Sequence, residues 1–274
     1  MQNKLKIAFV GGGNMAQALI GGLADKLTAA ANIHVIDVMP DTLSALTGRF
    51  GVTTSATPTD VLAAADVIVL AVKPQQMRDV VASIRPYVKV QLLLSIAAGI
   101  RAADLSRWLG GHQAIVRTMP NTPALVGKGI TGAVAMPGVS DQQKQTADAI
   151  LRAVGETIWI ADEAQIDAVT ALSGSGPAYV FYFIEAMQQA AVELGLTAQQ
   201  GRQLAQATFA GAAELAIRSD DPVSLLRERV TSKGGTTYAA LQSMEAGGVK
   251  PAIVKALHAA AARGKELGDE FGKD

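Results

Sequence analysis

The chain has 274 residues, 49% of them hydrophobic, 18% charged and 4% aromatic, with 24 Lys and Arg matched by 24 Asp and Glu. The balance excludes a global field that attracts nucleic acid or an acidic membrane face, and zero cysteines exclude disulfides, thiolate metal sites and a Cys nucleophile. No window holds about 18 uninterrupted apolar residues, so a soluble cytoplasmic protein with one large domain or two ordinary ones is expected.

In chain order, residues 6–10, 33–36, 67–71, 92–95 and 114–117 are short, apolar and bounded by turn residues, as buried strands are. Helical spacing fills the gaps at 15–27, 40–50, 75–84 and 102–109. The succession predicts an α/β Rossmann-like, doubly wound parallel sheet with right-handed crossovers. Residues 130–136 and 157–160, separated by a helix at 141–154, extend it. After about residue 162 the strands stop, and 164–172, 178–194, 198–218, 222–229, 238–246 and 253–267 all read as helices. Thr197 and Gln200 match a capping box, and Asp221 before Pro222 suggests a cap and a first-turn proline. The Ala-rich 198–218 segment carries more small apolar residues than one surface face needs. Packing against another subunit, or a thick monomer core, accounts for that.

Val10-Gly11-Gly12-Gly13-Asn14-Met15-Ala16 follows a strand, opens a helix and fits Gly-x-Gly-x-x-Ala. Gly11 permits the tight turn, Gly13 the approach of a pyrophosphate, and Ala16 close packing of helix on strand. Asn14 and Met15 complete this cofactor loop. Asp37, at the end of the second strand, is placed to bond the adenosine ribose diol. Its carboxylate repels a 2′-phosphate and no Arg follows at once, so the local reading favours NADH over NADPH, with Thr42, Lys73 or Arg49 as possible compensators. Ala71, Val72, Lys73 and Pro74 end the next strand at the sheet edge where nucleotides lie, so their backbone should border the cofactor. The plain alternatives are a tight turn, a solvated acid and a surface lysine.

Two further turns stand out. Val230-Thr-Ser-Lys-Gly-Gly-Thr-Thr237 surrounds two glycines with four hydroxyls directly before a helix whose Leu241 and Met244 share a face. Such a helix start offers free N–H groups and the positive dipole end to an anion, or is a cap without a ligand. Ser173-Gly-Ser-Gly-Pro177 is expected to break one helix and begin another, leaving N–H groups unpaired.

These runs, with Met119-Pro-Asn-Thr-Pro123, follow an order and spacing that resemble the pyrroline-5-carboxylate reductase family over nearly the whole chain. The resemblance implies a nucleotide-binding domain at 1–161 and an all-helical substrate-binding and dimerisation domain at 162–274. It further implies interlocked dimers, often in rings of five, and an active site between the nucleotide fold of one subunit and helices that include its partner's. It carries substrate-loop roles to Ser232, Gly234, Gly235, Thr236 and Thr237, a substrate-contacting acid to Glu163, and a cofactor contact to Asn121. Lys233 departs from the proline usual in the family, and Asp37 from the nearby Ser or Arg that many members use for NADPH.

The implied substrate is a five-membered cyclic imine bearing a carboxylate, reduced by hydride to L-proline. A protonated imine is already electrophilic, so alignment and exclusion of water are the main requirements. Gly235 and Thr236 N–H groups are candidates for the carboxylate and Thr237 Oγ1 for the ring nitrogen, with orientation favoured over acid catalysis. Ser175 and Ser232 orient substrate or water, or merely cap. Glu163 compensates the iminium charge, or is simply a first-turn acid. His34, His112 and His258 lie outside these motifs, and no spacing suggests a metal site. A β-hydroxyacid dehydrogenase needs a base on the helix at 178–194, which has no Lys or His. A related imine reductase and a non-catalytic NAD(P)-binding module are the remaining alternatives.

Overall fold

A computed structural model describes residues 4–273. Two compact units divide it: one runs through Ser175 and takes up the chain again from Ala260, the other is Gly176–Ala259. The change from strands to helices thus precedes the division between units.

The first unit holds β1 (Ile7–Val10), α1 (Asn14–Leu23), β2 (Ile33–Ile36), α2 (Pro40–Phe50), β3 (Thr53–Ser55), β4 (Val67–Leu70), α3 (Met77–Ile84), β5 (Leu92–Ser95), α4 (Ala102–Trp108), β6 (Ile115–Met119), β7 (Gly129–Ala135), α5 (Asp141–Arg152), β8 (Gly155–Trp159) and α6 (Ile166–Val169). The strands form one sheet in the order β3-β2-β1-β4-β5-β6-β7-β8. Side chains alternate between its faces, as the pleat requires. Ile7, Phe9, Ile33, Val35, Val67 and Val69 join α1, α2 and α5 in one core. Ala8, Val10, Ile36, Ile68 and Leu70 join α3 and α4 in the other. A sheet buried on both faces is why these strands read as unbroken apolar runs.

Several details depart from the sequence reading. The sheet is not wholly parallel, because β7 runs antiparallel to β6, with Val116 opposite Ala135. Residues 120–128 cannot supply the crossover of about a dozen residues that a parallel pair needs. The first helix stops at Leu23, where Asp25 takes a positive φ of 58° and its N–H bonds Thr28 O at 2.8 Å. Thr28 is itself drawn inward, its hydroxyl donating to Leu5 O at 2.7 Å. The run at 173–177 does not leave a frayed end, since Thr170–Gly174 forms a π-helical turn and Ser175 N–H closes onto Thr170 O at 2.8 Å.

The second unit is helical: α7 (Gly176–Glu193), α8 (Ala198–Arg218), α9 (Val223–Arg229), α10 (Thr236–Ala246) and the first part of α11 (Val249–Phe271). The Thr197–Gln200 capping box forms in both directions, Gln200 N–H to Thr197 Oγ1 at 3.2 Å and Thr197 N–H to Gln200 Oε1 at 2.9 Å. α7 and α8 approach so closely at Gly201 that a Cβ there would lie 2.8 Å from that of Ala191. A further departure is at α9: Pro222 is the N-cap rather than a first-turn residue, and Asp221 pairs with Arg229 instead of capping. Among the described residues no helix is long and apolar enough to cross a membrane.

Candidate active site

The sheet order reverses at β1, which lies between β2 and β4. A crevice opens there beyond the carboxyl ends of the strands, where open α/β sheets bind ligands. Gly11 turns the chain out of β1 with φ +102°, its N–H bonded to Ile36 O at 2.8 Å. A Cβ on Gly11 would sit 2.6 Å from Ala71 O, so only glycine fits between β1 and the end of β4. Gly13 is the N-cap of α1 and makes no side-chain cap, and a Cβ there would meet no atom within 4 Å. The protein therefore leaves free space above Gly13. The first bond beyond this cap is Gln17 N–H to Gly13 O at 2.9 Å, so Asn14, Met15 and Ala16 turn unpaired N–H groups toward that space with no acid in the turn. Open room, free donors and a positive dipole end suit a pyrophosphate.

Gly11, Gly13, Asp37, Ala71, Val72 and Lys73 line a cleft of about 500 Å³ at this place, while Pro74 opens the 3-10 turn Pro74–Gln76 beside it. Val38 and Met39, which the sequence reading did not single out, supply an apolar wall. Their signal was their position directly after a strand-end acid. Asp37 Oδ2 accepts from Gly12 N–H at 2.7 Å and Oδ1 from Met39 N–H at 2.9 Å.

Asn121 does not line this cleft. It is buried, its Oδ1 accepting from Ile130 N–H at 2.9 Å and its Nδ2 donating to Ser173 O at 3.2 Å. The carboxamide thus ties the end of β6 to β7 and to the π-helical turn. Glu163 begins a 3-10 turn capped by Asp162, whose carboxylate accepts from Ala164 N–H at 2.9 Å. Glu163 Oε1 accepts from Arg117 Nη1 at 2.9 Å and from Ala102 N–H, at the start of α4, at 2.7 Å. Arg117 is only 4% exposed, and a buried guanidinium demands such a partner. Sequence reasoning missed Arg117, which gives no local signal inside an apolar strand.

In the second unit, Ser232–Gly235 forms a turn closed by Gly235 N–H to Ser232 O at 3.0 Å, with Gly234 at φ +72°. Glycine in the third position and a negative φ at Lys233 match a type II turn. A Cβ on Gly235 would lie 2.5 Å from Ser232 Oγ, so the hydroxyl fills the place of a side chain. Gly235 is the N-cap of α10, which begins at Thr236, two residues before the expected start. Because Gly235 N–H is spent on the turn, the donors ahead of the first helical bond, Ala239 N–H to Gly235 O at 3.1 Å, are those of Thr236, Thr237 and Tyr238. The first turn carries no acid. The structure thus gathers Ser232, Gly234, Gly235, Thr236 and Thr237 in one unit, and the glycine loop, Glu163 and Ser175 in the other.

No histidine enters either group. His34 is buried between Thr53 Oγ1 at 2.8 Å and Ser55 Oγ at 2.9 Å, and burial lowers its pKa. His112 Nε2 meets Gln91 O at 3.0 Å. Among the described residues no cluster of three or more His, Asp or Glu side chains could hold a metal.

Residues 163–267 match the family described as pyrroline-5-carboxylate reductase dimerisation, and residues 6–99 that described as NADP oxidoreductase coenzyme F420-dependent. The pyrroline-5-carboxylate reductase of Pseudomonas aeruginosa is 45% identical over 98% of both chains. A solved reductase of the same name from Coxiella burnetii is 41% identical with a TM-score of 0.89, covering 97% of this chain and 99% of the other. The Plasmodium falciparum pyrroline carboxylate reductase, solved with NADP bound, is 32% identical with a TM-score of 0.89 over 98% and 99%. With a glycine-loop cleft at the sheet reversal and full-length likeness of this order, the chain belongs to the pyrroline-5-carboxylate reductase family of NAD(P)H-dependent oxidoreductases.

Proposed function

We propose that this chain reduces 1-pyrroline-5-carboxylate to L-proline, the last step of proline biosynthesis, with NADPH or NADH. The observation that carries this reading is the open first turn of α10, where Thr236 and Thr237 offer N–H groups at a positive dipole end with no acid beside them. That is a seat for the carboxylate of a small cyclic imine. Gly234 and Gly235 shape the turn beneath it.

When bound, the reduced nicotinamide supplies the hydride that the imine carbon accepts. The chain's part is to hold, orient and keep dry. Gly11, Gly13 and the N–H groups of Asn14, Met15 and Ala16 hold the pyrophosphate, Asp37 the adenosine ribose, and the backbone of Ala71, Val72, Lys73 and Pro74 borders the dinucleotide. Asn121 acts behind the cofactor residues by fixing the end of β6. Thr237 Oγ1 bonds the ring nitrogen and orients it or passes its proton. Ser232 and Ser175 orient substrate or water. Glu163 offers its second carboxylate oxygen to the iminium charge, the first being held by Arg117. α7 carries no Lys or His, so the base that a hydroxyacid dehydrogenase needs has no source on that helix.

In this reading residues 1–161 bind the dinucleotide and residues 162–274 bind substrate and pair subunits, as dimers that assemble further into decamers in the cytoplasm. The test follows the absorbance of NADH and of NADPH with 1-pyrroline-5-carboxylate present. Imine-dependent oxidation with formation of proline is expected; loss of neither reduced cofactor rules the proposal out.

A further inference from the structure

We infer that Asp37 makes this chain selective for NADH, because a fixed carboxylate occupies the place where NADPH carries its 2′-phosphate. The inference rests on the reductase reading for its chemistry. Its test does not require turnover.

The acid is immobilised by Gly12 N–H on Oδ2 and Met39 N–H on Oδ1. Swinging it aside would break two charge-assisted bonds and strip Gly12 N–H of this partner. Each oxygen keeps a further lone pair, which suits the donating hydroxyls of a ribose diol. A 2′-phosphate is an acceptor carrying charge of the same sign, so it would lose those bonds and meet repulsion.

Among the described residues lining the cleft the charged ones are Asp37, Asp79 and Lys73, two anions against one cation. Lys73 follows β4, whereas Asp37 follows β2, with β1 between them. Two strand spacings separate their backbones by roughly 10 Å. Arg49 stacks 4.8 Å over the Phe50 ring and lines a different cleft, beside Lys26. Thr42 turns its methyl toward the loop, 2.8 Å from where a Cβ on Gly12 would lie. Arg49 is therefore directed elsewhere, and the Lys73 backbone lies two strands away from Asp37.

The test titrates the protein with NADH and with NADPH in the absence of imine, reading nicotinamide fluorescence. NADH is expected to bind about 30-fold more tightly, the worth of one lost charge-assisted contact. In Asp37→Ser the ratio should collapse to within about threefold as NADH weakens and NADPH gains. Val38→Arg adds a cation beside Asp37 at a position 77% exposed, which spares the core. It should tighten NADPH about tenfold relative to NADH. Equal affinities in the parent chain overturn the inference, as does an unchanged ratio in Val38→Arg, which decides the matter if Asp37→Ser does not fold. Selective NADH binding without imine-dependent oxidation would sink the reductase reading and leave Asp37 standing. Equal turnover with both cofactors would sink Asp37 alone.

Discussion

Thr237 sits in the first turn of α10, just beyond a turn whose shape depends on Gly234 and Gly235. Thr237→Ala therefore removes one hydroxyl without touching the turn. Turnover should fall by about a hundredfold, while fluorescence titration should find cofactor affinity within about twofold of the parent. Equal losses in both would remove the role given to Thr237. The glycines were legible in the sequence because their need is local: a positive φ or a close backbone approach excludes every other residue. Glu163 and Asn121 were legible as residues of interest, but not their partners. Arg117 lies 46 positions from Glu163, and Ser173 lies 52 from Asn121. Such pairings come from the fold, so no local pattern announces them.

Most elements of the first unit could be placed from periodicity, because a doubly covered sheet imposes unbroken apolar runs and its helices impose a repeat of three to four. β3 escaped notice, since Thr53–Ser55 is three polar residues at the sheet edge and contributes hydrogen bonds rather than apolar burial. The direction of β7 was equally hidden, because an apolar run has no polarity of its own and the loop length decides. His34 staples β2 to β3 through both ring nitrogens. Burial holds its pKa below the ordinary value, so the unfolded chain binds this proton more readily than the folded one. Stability contributed by neutral His34 is thus present above the ordinary histidine pKa and is lost as pH falls toward the lowered one. Denaturant midpoints measured between neutrality and about pH 5 should decline, and the decline should be shallower in His34→Gln. Parallel slopes in the two proteins would show that the titrating group lies elsewhere.

At the scale of the molecule, the second unit is short of a core. Among its described residues Gly201 and Ala205 are buried, while Phe181, Tyr182 and Ile217 are 64%, 73% and 75% exposed. A helical unit with so much uncovered apolar surface is explained by the proposed pairing of subunits. A melting temperature that rises with protein concentration is the expected signature. A value constant over a hundredfold dilution, with a monomer in the ultracentrifuge, would contradict it. Composition hinted at this surface through the Ala-rich α8, but the subunit count was not readable, because identical apolar faces serve a thick core and an interface alike.

The last helix has a peculiar bookkeeping. α11 begins at Val249 in the second unit, yet from Ala260 onward it belongs to the first. There Gly264 and Gly268 are buried, and Asp269 reaches Arg101 at 2.5 Å. A helix whose residues are divided between both units makes melting a shared event, because neither can lose its portion without fraying the other. Both tryptophans, Trp108 and Trp159, lie in the first unit, so their emission tracks that unit alone, while circular dichroism is dominated by the helices of both. The two signals should trace one transition, and separate midpoints would mean that α11 unwinds in two independent parts.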